Sequence, residues 1–100
     1  MEKRVKLDDI NFLQDSIRPN FHDGQPVQGG NSYISKPLRV TKYKGEYYAL
    51  DNRTAASKIF NGHKKTQVEY VPYNEVKSEF KKKNTGDGSF PEFRTTSRYR

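Results

Sequence analysis

The sequence predicts one small α+β domain over residues 1–83, in which a β-hairpin is followed by a helix and a further strand. Residues 84–100 read as a flexible, mobile basic tail. Three observations predict this. One hundred residues are enough for one hydrophobic core and too few for two. Hydrophobic residues make up only 31%, yet 7 Tyr and 6 Phe supply large faces to bury, each about 150–250 Å². Third, apolar positions alternate in some stretches and recur at three and four residues in others.

In chain order, Val5 and Leu7 alternate as in a strand, whereas Ile10, Leu13 and Ile17 also suit one helical face. Arg18 to Gly24 is turn-forming, and Gly24 to Ser35 is a polar, glycine-containing loop. Pro37 to Leu50 reads as a hairpin. A three-residue loop Tyr43-Lys44-Gly45 pairs Lys42 with Glu46 and sets Leu38, Val40, Tyr48 and Leu50 on one face. A two-residue loop at Lys44-Gly45 instead sends Tyr48 and Leu50 to the opposite face. A one-residue slip moves a whole apolar set into water, so the three-residue loop is expected.

A helix of about ten residues follows. Asp51 or Asn52 is its N-cap, Ala56, Ile59 and Phe60 form its apolar face, and Asn61-Gly62 ends it with Gly62 left-handed. Thr66 to Val71 alternates and stops at Pro72, a strand. Asn74 caps a second helix through Lys82, with Val76 and Phe80 on its apolar side.

Lys and Arg number 19 against 12 Asp and Glu, a net charge of +7. Such a chain is drawn toward phosphates of nucleic acid or nucleotide, or toward an acidic partner protein, although the charge also serves solubility alone. Cysteine is absent, which removes disulfides and thiolate metal sites. No stretch approaches 18 apolar residues, so no membrane span is expected. Met1 to Lys6 is charged with no apolar run behind it, so no signal peptide is expected; the chain either works in the cytoplasm or was cut from a larger polypeptide.

The chemistry concentrates where a strand releases the chain into Asp51-Asn52-Arg53-Thr54 and a helix. A first helical turn exposes unpaired N–H groups and the positive end of the helix dipole. Arg53 adds a planar fork suited to a phosphate and Thr54 a hydroxyl. The same four residues are also what ordinary capping looks like, and both readings stand at this point.

Val5-Lys6-Leu7, then Ile17-Arg18-Pro19-Asn20-Phe21, then a hairpin ending in Tyr48-Ala49-Leu50-Asp51-Asn52-Arg53 and a helix resemble the ParB/sulfiredoxin superfamily over roughly residues 5–75. There, a Gly-x-x-Arg-like segment opens the helix after the hairpin and holds a nucleotide phosphate. Asp51-Asn52-Arg53 and the phrase Ile10 to Ile17 are similar to ParB-like domains at the C-termini of contact-dependent and other polymorphic bacterial toxins. Here the helix that usually precedes the hairpin shrinks to Gly24 to Ser35, and Leu50 or Asp51 stands where the superfamily has glycine. Without cysteine, sulfiredoxin's own chemistry is excluded, and there is no room for the helix-turn-helix domain of ParB.

The resemblance implies a nuclease toxin that is secreted within a larger effector, cleaves RNA or DNA in a target cell's cytoplasm, and is neutralised by an acidic immunity protein. The alternatives are a non-catalytic, cytoplasmic nucleotide- or DNA-binding module, or a nucleotide-hydrolysing enzyme. On the implied fold, the His22 loop approaches Arg53, so His22, oriented by Asp23, is the first candidate to move a proton, with Asp51 behind it. Asn52, Arg53 and Thr54 hold the phosphate, and Arg53 assists the reaction. Lys42, Lys44, Lys58, His63, Lys64 and Lys65 bracket the site for nucleic acid, with Tyr43 and Tyr47 as base-stacking candidates. No cofactor or metal is expected, Asp8-Asp9 and Asp23 being at most a loose magnesium set.

Overall fold

The chain begins with two three-residue strands, β1 (Arg4–Lys6) and β2 (Ile10–Phe12), that a 3-10 turn at Leu7–Asp9 sends to opposite edges of one sheet. The computed structural model describes residues 4–93. A short β3 (Ser16–Ile17) and a long loop lead to the hairpin β4 (Leu38–Tyr43) and β5 (Glu46–Ala49). Then come α1 (Asn52–Phe60), β6 (Lys65–Tyr70), a 3-10 turn (Tyr73–Glu75), α2 (Lys77–Lys83) and β7 (Glu92–Phe93). The fold is α+β. Five strands lie in the order β1-β6-β4-β5-β2, and β3 pairs in parallel with β7 as a separate two-stranded sheet.

The sheet has to curl. Flat, its edges would lie about 19 Å apart, whereas the four steps from Lys6 to Ile10 reach at most about 14 Å. Curling encloses the larger core, in which Leu7, Ile10, Phe12, Val27, Leu38, Val40 and Ala49 meet Ala55 and Ala56 of α1. A second core sits under α2, where Leu13, Leu50, Val76 and Phe80 pack with Tyr43, Tyr48, Val71 and Tyr73.

These two cores correct the hairpin register. Tyr43 pairs with Glu46, Lys42 with Tyr47 and Val40 with Ala49, so the loop is the two-residue Lys44-Gly45. Both loop residues have positive φ, +51° and +84°, the twist that continues right-handed strands. The three-residue loop was expected because only one face was taken to be buried. In fact Leu38, Val40 and Ala49 enter the larger core while Tyr43, Tyr48 and Leu50 enter the second.

Elsewhere the local reading holds with smaller changes. Gly62 terminates α1 at φ +84°, with its N–H and that of His63 bonding back to Ile59 and Lys58. Phe60, expected on the buried face, is 45% exposed and sits against Phe90 and Phe93 instead. Residues 10–17 are extended, so the helical alternative for Ile10, Leu13 and Ile17 falls. The second helix opens one turn late, with Val76 and Phe80 buried as expected.

The tail beginning at Asn84 is corrected for residues 84–93. Thr85 and Gly86 both donate to the Leu13 carbonyl, the Gly88 carbonyl accepts from Phe12, and Glu92 donates to Asp15. These bonds satisfy backbone groups that the short N-terminal strands leave unpaired. Residues 94–100 of the expected tail lie outside the described residues. Among the described residues no helix is long and apolar enough to cross a membrane.

Candidate functional site

The end of β5 delivers the chain through buried Leu50 to Asp51, the residue before α1. Asp51 does not cap the helix with its side chain. Its carboxylate is held by Arg39 of β4, whose Nη2 and Nε lie 2.8 and 3.1 Å from the two oxygens. Arg39 also reaches Glu79 of α2 at 2.9 Å, Glu79 accepts from Lys83 at 2.7 Å, and Lys83 donates to the Leu50 carbonyl. The hydrogen bonds to Asp51, and with them those to Glu79, hold the Arg39 guanidinium well above its ordinary value against the opposing effect of burial. Burial pushes the Glu79 carboxyl up, but the bonds from Lys83 and Arg39 outweigh it and hold the group low.

With the Asp51 side chain turned away, the first N–H groups of α1 stay open. The first backbone bond of the turn runs from Ala55 to the Asp51 carbonyl at 3.1 Å, and those of Asn52, Arg53 and Thr54 have no acceptor among the described residues. Asn52 is 3% exposed. Its Oδ1 accepts from the Leu13 N–H at 2.9 Å, while its Nδ2 has no hydrogen-bond partner among the described residues. A buried amide donor without an acceptor costs about 1–3 kcal/mol. Such a group calls for an acceptor.

A cleft of about 500 Å³ opens at this turn. Asp51, Asn52, Arg53 and Thr54 line it together with His22, as the sequence reading expected. Arg18, Lys36 and Lys83 complete its wall, so four cationic side chains face one carboxylate, and that carboxylate is neutralised by Arg39. Arg53 donates to the Asn20 carbonyl at 2.7 Å and lies over the Phe21 ring, contacts that fix its direction while leaving most of its donors unused. Phe21 stacks in turn on Tyr33 at 3.8 Å, and Lys36 lies over the Tyr33 ring.

Two expected roles change. Asp23 does not orient His22, because its oxygens accept from Gln25 and from the Tyr33 hydroxyl at 2.9 Å. These bonds lower the Asp23 carboxyl below its ordinary value, Gln25 contributing most, and raise the Tyr33 phenol. His22 is exposed at the cleft wall with its ring 6.4 Å from that of Tyr33. Asp51, the alternative proton carrier, is a paired carboxylate.

The residues expected to bracket the site fall into two groups away from it. Lys42, Tyr43, Lys44 and Tyr47 belong to the turn end of the hairpin, and Asp51 follows the other end of β5. Tyr43 is packed against Tyr73 and Phe80 rather than free to stack on a base. Lys58, His63, Lys64 and Lys65 lie at the far end of α1, about 13 Å along its axis. Lys58 is not a surface cation at all; it is 4% exposed and bonds the Ile34 carbonyl at 2.6 Å.

Lys36, Lys83 and Arg39 were missed, since each reaches the helix start from a distant stretch. Arg18 stood inside the motif quoted for the superfamily resemblance, a signal that pointed to the fold and not to the cleft. Asp8 and Asp9 sit on an exposed 3-10 turn outside the cleft. Among the described residues no three of His, Asp or Glu converge to hold a metal ion. No protein-family model matches this chain, and no characterised protein is significantly similar to it in sequence.

Proposed function

We infer that the cleft at the start of α1 binds a phosphate group and that the chain is a nuclease, cutting phosphodiester bonds in RNA or DNA. One observation carries the reading: open amides of Asn52, Arg53 and Thr54 and four cationic side chains meet in one cleft whose single acid is already paired. A phosphate group offsets the positive charge and accepts from the open donors through its anionic oxygens. The amides and Arg53 hold the non-bridging oxygens of the scissile phosphate. His22 takes the proton of the attacking oxygen or returns one to the leaving oxygen. Arg39, by pairing Asp51, keeps a negative charge from repelling the substrate.

The ParB/sulfiredoxin-like resemblance adds the biological setting, a toxin module of a secreted effector acting in a target cell's cytoplasm and blocked by an acidic immunity protein. The second reading is a non-catalytic phosphate- or nucleic-acid-binding module. It is favoured by one observation, that His22 has no carboxylate partner to orient its ring.

The experiment incubates the protein with tRNA, total RNA, plasmid and ATP, with and without magnesium, beside Arg53→Ala and His22→Ala. Cleavage of RNA or plasmid lost in both variants supports the nuclease. Binding without cleavage, still abolished by Arg53→Ala, assigns the non-catalytic module. Binding that survives Arg53→Ala removes the cleft from either reading.

A further inference from the structure

A second cavity, of about 220 Å³, lies at the opposite end of α1. Arg4, Lys36, Lys58, His63 and Lys65 line it, and it contains no acidic residue. Lys58 is the informative member. Its side chain is almost wholly buried, its Nζ donates to the Ile34 carbonyl, and no carboxylate pairs with it among the described residues. Burial, with Arg4 close by, lowers its ammonium below the ordinary lysine range. The carbonyl end of α1 returns roughly half an elementary negative charge. Four Lys and Arg side chains exceed that several-fold. Buried charge without a counter-charge is costly, and an anion in this cavity supplies one.

Lys36 lines this cavity and the first cleft alike. Its aliphatic stem and ammonium are therefore a shared wall, and the two basic hollows adjoin along the Tyr33 to Lys36 edge of α1. Arg53 and His63 sit at opposite ends of a helix about 13 Å long, too far apart for one phosphate to meet both. A chain of phosphates meets both.

We propose that the second cavity binds a further phosphate of the same strand, more than one nucleotide along, so that the molecule takes a single-stranded polynucleotide across α1 rather than a mononucleotide. This rests on reading the first cleft as a phosphate site. A strand fits better than an acidic peptide, because among the cavity's lining residues only Ile34 is apolar, which leaves little to hold peptide side chains.

The test measures binding of inorganic phosphate, UMP, and fluorescein-labelled two- and eight-nucleotide single strands of RNA and DNA. It uses the full chain, Arg53→Ala, and the double variant His63→Gln/Lys65→Gln, whose side chains are exposed and whose loss leaves both cores intact. The expected result is that an octamer of either sugar binds at least tenfold tighter than the dimer. The double variant should lose about tenfold on the octamer and shift its log–log salt slope by about 0.7, the one lysine contact it removes. The part of phosphate and UMP binding that Arg53→Ala removes should not move in the double variant. Equal octamer binding by the double variant, or affinity independent of length, overturns the proposal while Arg53-dependent phosphate binding still upholds the first cleft. Phosphate binding undiminished in Arg53→Ala overturns the first cleft instead. Polyglutamate binding that is sensitive to the double variant, with octamers inert, also overturns the proposal and makes the occupant an acidic protein.

Discussion

Asn52 carries two loads that its neighbours cannot share. Its Oδ1 satisfies the buried Leu13 N–H, and its buried Nδ2 has no partner among the described residues, in a residue that lines the cleft. Asn52→Ala should therefore cost about 1–3 kcal/mol of stability, because the Leu13 donor loses its acceptor. Urea unfolding reads that loss. Asn52→Asp keeps the acceptor and brings a carboxylate into the cleft, so it should retain more stability than the alanine variant yet bind phosphate worse than wild type. If calorimetry shows phosphate binding unchanged in Asn52→Asp, the Nδ2 is not part of the site. Glu79 gives a pH signature at the same scale. Its folded value is depressed, so its contribution is complete above the ordinary carboxyl value of 4.5 and is lost as pH falls through the lower folded value. Glu79→Gln should therefore lower stability at about pH 7 to 8 and converge on wild type as pH falls below about 4.5, flattening the acid side of the profile. A loss as large in acid as at about pH 8 would mean that the shape of the bond to Arg39 matters more than the charge.

At the scale of elements, the hairpin shows where sequence reading reached its limit. Its position, its helix, the Gly62 stop and the strand ending at Pro72 are local features, set by turn chemistry and apolar period. Its register is not local. Whether Tyr48 and Leu50 share a face with Val40 depends on whether α2, about thirty residues onward, covers the other side of the sheet. The same distance hid Lys83 from the site, and Arg39, twelve residues before Asp51, was hidden by the register, whereas Asp51 to Thr54 are legible because strand end and helix start adjoin in the chain. The two-residue loop makes its own prediction. Lys44 at φ +51° carries the left-handed strain of a side chain there, about 1–2 kcal/mol against glycine. Asn-Gly is the preferred pair for this turn, so Lys44→Asn should raise stability by up to about 1 kcal/mol. Gly45→Ala, at φ +84° with open space around it, should lower stability by about 1 kcal/mol through backbone strain alone. Thermal unfolding of the two variants in opposite directions checks the register; a three-residue loop would leave Lys44 right-handed and its substitution neutral.

Across the whole molecule, the closing segment and the cleft are joined through one residue. The Leu13 carbonyl accepts from Thr85 and Gly86, while the Leu13 N–H donates to Asn52 at the head of α1. Residues 84–93 therefore brace the strand that orients Asn52, although none of them lines the cleft itself. Gly86 is the point of closest approach. A methyl group there would meet the Asp15 backbone nitrogen at 3.0 Å and the Gln14 carbonyl carbon at 3.2 Å. Backbone on both sides has no rotamer with which to yield, so the segment or the Leu13–Asp15 stretch must shift, at about 1–3 kcal/mol. Gly86→Ala should accordingly lower the urea midpoint and also weaken phosphate binding several-fold under conditions where the protein is still fully folded. Gly30→Ala is the control, because no atom lies within 4 Å of its added methyl group. It should change neither quantity. Weakened stability with phosphate affinity intact would show that the C-terminal segment closes the core without positioning Asn52, and the cleft would then owe its geometry to α1 and the Arg39–Asp51 pair alone.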